Sequence, residues 1–198
     1  QGKGNLFLRN NYRGYFNEAY TQNPKIPRGF LEAFAYHNTR LQHIDESFEE
    51  SCVQMPRYWG VMGLIENGKG VFYDNLSLVA ELSGYSAEDI KHDPRINILA
   101  FAKAYNTLLI QNKLTRYENN EIAFLQVLMQ LSELPAAIEF DNYVRQVQLY
   151  GIVSFLNDPK FQDFYNCRAP ELNMEKIFGK ENLEVLSSTQ IDIENDTV

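Results

Sequence analysis

The sequence predicts a mostly α-helical domain, and three observations carry that prediction. Apolar residues recur at helical spacing through much of the chain, most clearly at Ile98, Phe101, Ala102, Tyr105, Leu108 and Leu109. Capping and breaking residues stand where such stripes begin and end: Asp74, Ser86, Asp93 and Asn120 on entry, Gly84, Pro135 and Asp158-Pro159 on exit. With 198 residues, 44% hydrophobic and 13% aromatic, the chain is long enough to bury a sizeable core.

Residues 1–11 show no sustained period and read as an N-terminal arm. Tyr12, Tyr15, Phe16 and Ala19 line one side of a short helix over residues 12–20. It stops ahead of Asn23-Pro24, because a residue before proline is pushed out of the helical region. A central helix is expected over residues 27–43, since Pro27 has the fixed φ and missing N–H that suit a first helical position. Its apolar face carries Leu31, Phe34, Ala35 and Leu41, with Asn38 among them. An unpaired amide there costs about 1–3 kcal/mol, so Asn38 either bonds neighbouring backbone or looks into a wet cleft.

Residues 44–57 are acidic and irregular, with Asp45, Glu46, Glu49 and Glu50, and read as a loop closing at Pro56. Residues 58–74 hold glycines at 60, 63, 68 and 70, and Asn67-Gly68 signals a hairpin turn. One small β-hairpin is therefore expected within residues 60–74. Asp74 then caps a helix closed by Gly84, Ser86 with Asp89 opens a short one, and Asp93-Pro94 opens a long one. Asn120 starts a helix with Phe124, Val127, Leu128 and Leu131 aligned, ending at Pro135. Val144, Val147, Ile152 and Phe155 mark a further helix over about residues 137–156. Beyond Asn166 the period fades, so an α domain over residues 12–165 is expected, followed by a tail or linker over 166–198.

Several function classes are disfavoured. A net charge of −8 repels phosphate backbones and the 18 Lys and Arg are scattered, so nucleic acid is not an expected partner. No run of 18 apolar residues occurs, so no membrane insertion is expected. His37 and His43 fall on different sides of a helix, His92 is distant, and no HExxH or CxxC spacing occurs; no metal or other cofactor is expected. There is no GxSxG, and GKG at 68–70 lacks the spacing of a phosphate loop and reads as a turn. Cys52 and Cys167 either pair in an oxidising compartment or stay as two free buried thiols.

Three segments in order, AFAYHNTRL at 33–41, GVMGLIE at 60–66 and DPRINI at 93–98, resemble the AIAxxESxF, GAxGLMQ and DPxxNI motifs of the lytic transglycosylases and goose-type lysozymes, which cleave the glycan of peptidoglycan. The resemblance implies a lysozyme-like multi-helix domain. The family's general acid, the glutamate of ES, falls on Asn38, an amide that can hydrogen-bond a sugar but has no proton to give. Glu66 stands where the family's cleft glutamine lies, and the family's cleft tyrosine position falls on Ala104, with the aromatic one place later at Tyr105. Asn38-Thr39-Arg40, WGVMGL at 59–64 and SGYS at 83–86 are similar to the N-terminal modules of a group of bacterial N-acetylmuramoyl-L-alanine amidases, whose zinc amidase domain is separate.

The resemblance thus implies a peptidoglycan-recognising domain of an exported cell-wall hydrolase, periplasmic or in the cell envelope, with glycan strands as its partner. The implied glycan contacts are Tyr36, Asn38, Thr39, Tyr58, Trp59, Met62 and Glu66. Two alternatives stay open. One is an active muramidase or lytic transglycosylase with Glu66 as catalytic acid and Glu49 or Asp45 as second carboxylate. The other is a structural module whose groove is filled by side chains such as Phe101.

Overall fold

A computed structural model describes residues 12–48, 56–68, 70, 72–134, 139–169 and 171–188, with side chains from 142 onward in the fifth of these stretches. The expected arm over 1–11, Glu49, Glu50, Cys52, Lys69, Pro135 and residues 189–198 lie outside them. The fold is mostly α, with ten α-helices and one two-stranded antiparallel sheet among the described residues. In chain order they are α1 (Arg13–Gln22), α2 (Phe30–Thr39), β1 (Tyr58–Trp59), β2 (Leu64–Ile65), α3 (Asn75–Ser83), α4 (Ala87–His92), α5 (Pro94–Gln111) and α6 (Glu121–Leu128). A 3-10 turn (Met129–Leu131), α7 (Glu139–Asn157), α8 (Pro159–Tyr165), α9 (Met174–Phe178) and α10 (Lys180–Leu186) complete them.

Helix α5 is the axis of the core. Leu99 and Ala100 are buried along with Ile98, Phe101 and Tyr105, so most of its circumference is covered, with α1, α3, α4 and α6 packed against it, while Lys103 and Ile110 stay exposed. The expected caps at Asp93, Asp74 and Ser86 are in place, whereas the Asn120 side chain caps no N–H of α6 and donates instead to the Arg116 and Glu118 carbonyls (3.1 and 3.3 Å). The Asp93 carboxylate accepts from the N–H groups of Arg95 and Ile96 (2.8 and 3.1 Å), Asp74 accepts from Ser77 (2.8 Å), and Ser86 accepts from Asp89 (3.1 Å). Gly84 closes α3 in the left-handed region at φ 74°.

Helix α2 is shorter at both ends than residues 27–43. Its first N–H groups are taken from a distance: Gly29 (φ 92°) and Leu31 donate to the Tyr20 hydroxyl of α1 (2.8 and 3.2 Å), which itself donates to the buried Glu32 carboxylate. Tyr20, and not Pro27, sets the start. At the other end Arg40 and Leu41 both take positive φ (57° and 59°), which stops the helix at Thr39 and returns Leu41 to the core.

The hairpin also differs from its expected turn at Asn67-Gly68. Tyr58 pairs with Ile65 and Trp59 with Leu64, so residues 60–63 make the turn, with Gly60 and Gly63 at φ 70° and 67°. A Cβ on Gly60 would lie 2.0 Å from Asn97 Nδ2, and one on Gly63 would lie 2.8 Å from Asn38 Cβ. The turn is pressed against α5 and α2, and glycine alone meets both the φ and the close approach. Asn67 does adopt φ 51°, but its N–H donates to Asp74 (3.0 Å), closing a loop onto the α3 cap.

Residues 171–188, expected within a tail, are docked instead. The Asn157 side chain donates to the Leu172 carbonyl (2.7 Å) and accepts from the Leu172 N–H (2.8 Å), while Leu172, Phe178 and Leu186 are buried. Cys167, just before this segment, is a free buried thiol that burial pushes up to about 12. No helix among the described residues is long and apolar enough to cross a membrane.

Glycine is needed at 60 for packing, but at Gly84, with nothing within 4 Å of an added Cβ, for backbone freedom alone. Gly84→Ala is expected to cost about 1 kcal/mol, and Gly60→Ala about 3 kcal/mol or more, measured by urea denaturation. Equal losses would show that Asn97 yields and that the contact does not demand glycine.

Candidate functional site

Within the 60–63 turn, Gly60 exchanges both backbone hydrogen bonds with Ile44 (2.8 and 3.3 Å), and side-chain amides and a hydroxyl meet residues 61–63. Asn97 Oδ1 accepts from the Met62 N–H (2.7 Å) while its Nδ2 donates to the Ile90 carbonyl (2.9 Å). The Thr39 hydroxyl lies 2.6 Å from the Val61 carbonyl, and Asn38 Nδ2 lies 3.3 Å from that of Met62 and 3.5 Å from that of Gly63. The three segments that resemble transglycosylase motifs therefore meet at one place, each pairing polar groups that would otherwise be buried unbonded. Asn75 carries the connection onward, accepting from Ile65 (2.7 Å) and donating to the Leu131 carbonyl (2.9 Å). The Glu133 carbonyl accepts from Tyr73 (2.8 Å), which fixes the chain beyond it.

Beside this turn is a cleft of about 250 Å³ between α2, β1, the segment at Glu133 and α7. Glu133 is 2% exposed, and its carboxyl accepts from the Tyr58 hydroxyl (3.0 Å) and from Gln148 Nε2 (3.3 Å to each oxygen). Gln148 also donates to Asn38 Oδ1 (3.1 Å), and the Ser132 hydroxyl donates to Gln148 Oε1 (2.6 Å), which turns the amide nitrogen toward the cleft. Burial lifts the Glu133 carboxyl above the usual range, and the bonds from Tyr58 and Gln148 only partly oppose it. Burial and then the neighbouring Glu133 raise Tyr58, keeping it a phenol and a donor. His37, on the same cleft, is lowered by burial and then by Arg40 to about 4 and is neutral. It packs on Gly151, where a Cβ would lie 2.5 Å from its Nδ1.

The cleft thus offers a carboxyl inclined to hold its proton, a phenol, two amides, and apolar walls from Phe72, Val144 and Val147. Such a set can bind a hydroxyl- and amide-bearing ligand and can hold or deliver a proton at Glu133. Among the described residues no three of His, Cys, Asp and Glu gather as metal ligands. A second hollow of about 360 Å³ lies by Met129, Arg145 and Leu149. Arg145 spends a hydrogen bond on the Met129 carbonyl there (2.7 Å), and no carboxyl among the described residues lines that hollow, so the Glu133 cleft is the better chemical candidate.

Of the residues singled out in the sequence, Asn38 and Tyr58 line this cleft. Tyr36 lies about 200° around α2 from Asn38, its ring packed at a tilt against Phe155 and Phe161 (centroids 5.1 and 4.8 Å) under the Arg40 guanidinium. The Thr39 hydroxyl is spent on carbonyls, and Met62 is fully buried. Strand alternation puts Trp59 and Glu66 on the other face of the hairpin from Tyr58. There Arg57 and Lys91 approach the Trp59 ring (5.4 and 5.3 Å), and Lys91 Nζ is 3.2 Å from each Glu66 oxygen. Glu66 is therefore a third-exposed, ion-paired carboxylate away from Asn38, unlike the desolvated acid that the muramidase alternative asks of it. Asp45 is held by the N–H and hydroxyl of Ser47 (2.9 and 2.5 Å). Phe101 packs on Phe34 (4.6 Å) in the core and does not fill the cleft. Ala104 is buried, and Tyr105 donates to the Phe124 carbonyl (2.8 Å).

Sequence reasoning missed Glu133 and Gln148. Gln148 carried a usable signal, lying four residues after Val144 and four before Ile152 on an apolar stripe, as Asn38 does on its own. Compared with family models, with curated proteins and with solved structures, the chain matches none.

His37 makes stability depend on pH. Its folded-state value of about 4 lies below the ordinary value of about 6.5, so below pH 6.5 the unfolded chain takes up a proton that the folded one refuses. The contribution is complete above pH 6.5 and is lost as pH falls toward 4, by up to about 3 kcal/mol. In urea denaturation at pH 7 and pH 4.5, wild type should lose stability relative to His37→Gln at the lower pH. Parallel pH profiles would contradict this.

Proposed function

We propose that this chain is a glycan-recognising, lysozyme-like domain of a cell-wall hydrolase that acts on peptidoglycan, within a protein of the N-acetylmuramoyl-L-alanine amidase type. The observation that carries the reading is the convergence of the three motif-like segments on one glycine turn that borders a cleft. Amide groups on that cleft are of the kind that pair with the acetamido and hydroxyl groups of amino sugars, and the aromatic side chains of Tyr58 and Phe72 line it as well. Asn38, at the place of the family's acid, contributes its carbonyl oxygen, because its amide protons are directed to Met62 and Gly63. Peptidoglycan lies outside the cytoplasmic membrane, so the reading carries an exported, cell-envelope location with it.

The test is retention on purified peptidoglycan sacculi. Val147, exposed at the cleft rim, can take a large side chain without burying it, and Val147→Trp should weaken retention about tenfold or more, a change of about 1.4 kcal/mol. Trp59→Ala, on the other face of the hairpin, should stay within about twofold of wild type. No retention of the wild type, or loss in Trp59→Ala with none in Val147→Trp, would overturn the reading or its placement in this cleft.

A further inference from the structure

The cleft holds one carboxyl among its described lining residues, Glu133, on the connection between the 3-10 turn and α7 and away from the helix that carries Asn38. Its side chain is taken out of water and held from two sides, by the Tyr58 hydroxyl of β1 and by Gln148 Nε2 of α7. Gln148 is itself oriented by Ser132 and bonded to Asn38. That arrangement has the parts of a positioned acid: a carboxyl in a dry niche, neighbours that fix its direction, and open volume beside it. Resting on the glycan reading above, we propose that Glu133 is the proton donor of this cleft and that the domain cleaves the glycosidic bonds of the amino-sugar strand it binds.

The step balances with this one carboxyl. The Glu133 proton passes to the glycosidic oxygen as the C1–O bond breaks, its electron pair going to that oxygen, and the leaving sugar departs as an alcohol. Water then bonds to C1 through its oxygen, and its released proton returns to the Glu133 carboxylate. Water is the one co-substrate, and no oxidant or reductant enters. A carboxyl raised by burial keeps the proton near neutral pH, which an acid in this role needs. The titratable groups facing it are Tyr58 from β1 and His37 from α2; the polar neighbours from α2 and α7, Asn38 and Gln148, are uncharged, and no other charged side chain among the described residues lines the cleft. Glu66 cannot share the work, being bound to Lys91 on the opposite face of the hairpin.

The experiment measures muropeptide release from purified sacculi, with sacculus retention measured on the same samples. Wild type should release products, and Glu133→Gln should still bind sacculi but release about 100-fold less or lower still, a loss larger than any change in its retention. Activity of the wild type should fall as pH rises through the Glu133 titration. Tyr58→Phe removes a hydrogen bond that favours the charged carboxylate, so the alkaline limb of the pH profile should move upward, a readout that a merely structural tyrosine would not shift. Retention without release by the wild type, equal release by Glu133→Gln, or an unmoved limb in Tyr58→Phe overturns the proposal while leaving glycan binding standing. Absence of retention overturns the glycan reading and this proposal together.

Discussion

A glycine turn forced into the core must have its backbone polar groups paired from outside, and this requirement governs the rest of the structure. Leaving one such group unbonded costs about 1–3 kcal/mol; Gly60 is paired with the Ile44 backbone, and residues 61–63 receive partners from Asn38, Thr39 and Asn97 on two different helices. Because those bonds have little latitude in length and angle, they fix how α2 and α5 stand to the hairpin. Asn75 transmits the constraint from Ile65 to Leu131, and the next residues of that segment are Ser132 and Glu133. The position of the buried acid thus depends on a turn made much earlier in the chain.

The two faces of the hairpin are electrostatic opposites. On one, Lys91 bridges Glu66 and Glu88 (3.2 and 3.0 Å), and His92 meets Glu46 and Glu88 (3.3 and 2.9 Å), all beside Trp59. Charges there are opposed and partly wet, and pairs of that kind contribute little to stability. On the other, Glu133 has hydrogen-bond donors but no counter-ion among the described residues, and a carboxyl so placed favours its protonated form. Strand alternation, a purely local property, turns Tyr58 and Trp59 to opposite faces, and the two carboxyl groups follow: Glu133 accepts from the Tyr58 hydroxyl, while Glu66 pairs with the Lys91 that lies over Trp59.

How much could be read in advance followed from how local each cause was. The caps at Asp74, Ser86 and Asp93 are decided within three residues and were legible. The start of α2 was not, because a hydroxyl from α1 decides it, and Asn67-Gly68 lost the hairpin because α2 and α5 press on Gly60 and Gly63 instead. Helices of five and seven residues, α9 and α10, are too short for an apolar period to declare itself. In the site, Asn38 was legible as an amide on an apolar stripe, and both readings offered for it hold, since it bonds the turn and borders the cleft. Glu133 lies between helices where no periodicity marks an inward-facing residue, and only the folded chain shows its burial.

Glu133 is a buried carboxyl that holds its proton beyond the ordinary range. Carbon-13 NMR titration of the Glu133 side-chain carboxyl, assigned by its disappearance in Glu133→Gln, measures that directly. A midpoint above the ordinary glutamate value of about 4.3 is the predicted result; a midpoint at or below that value would show a charged, ordinarily solvated carboxylate and contradict it.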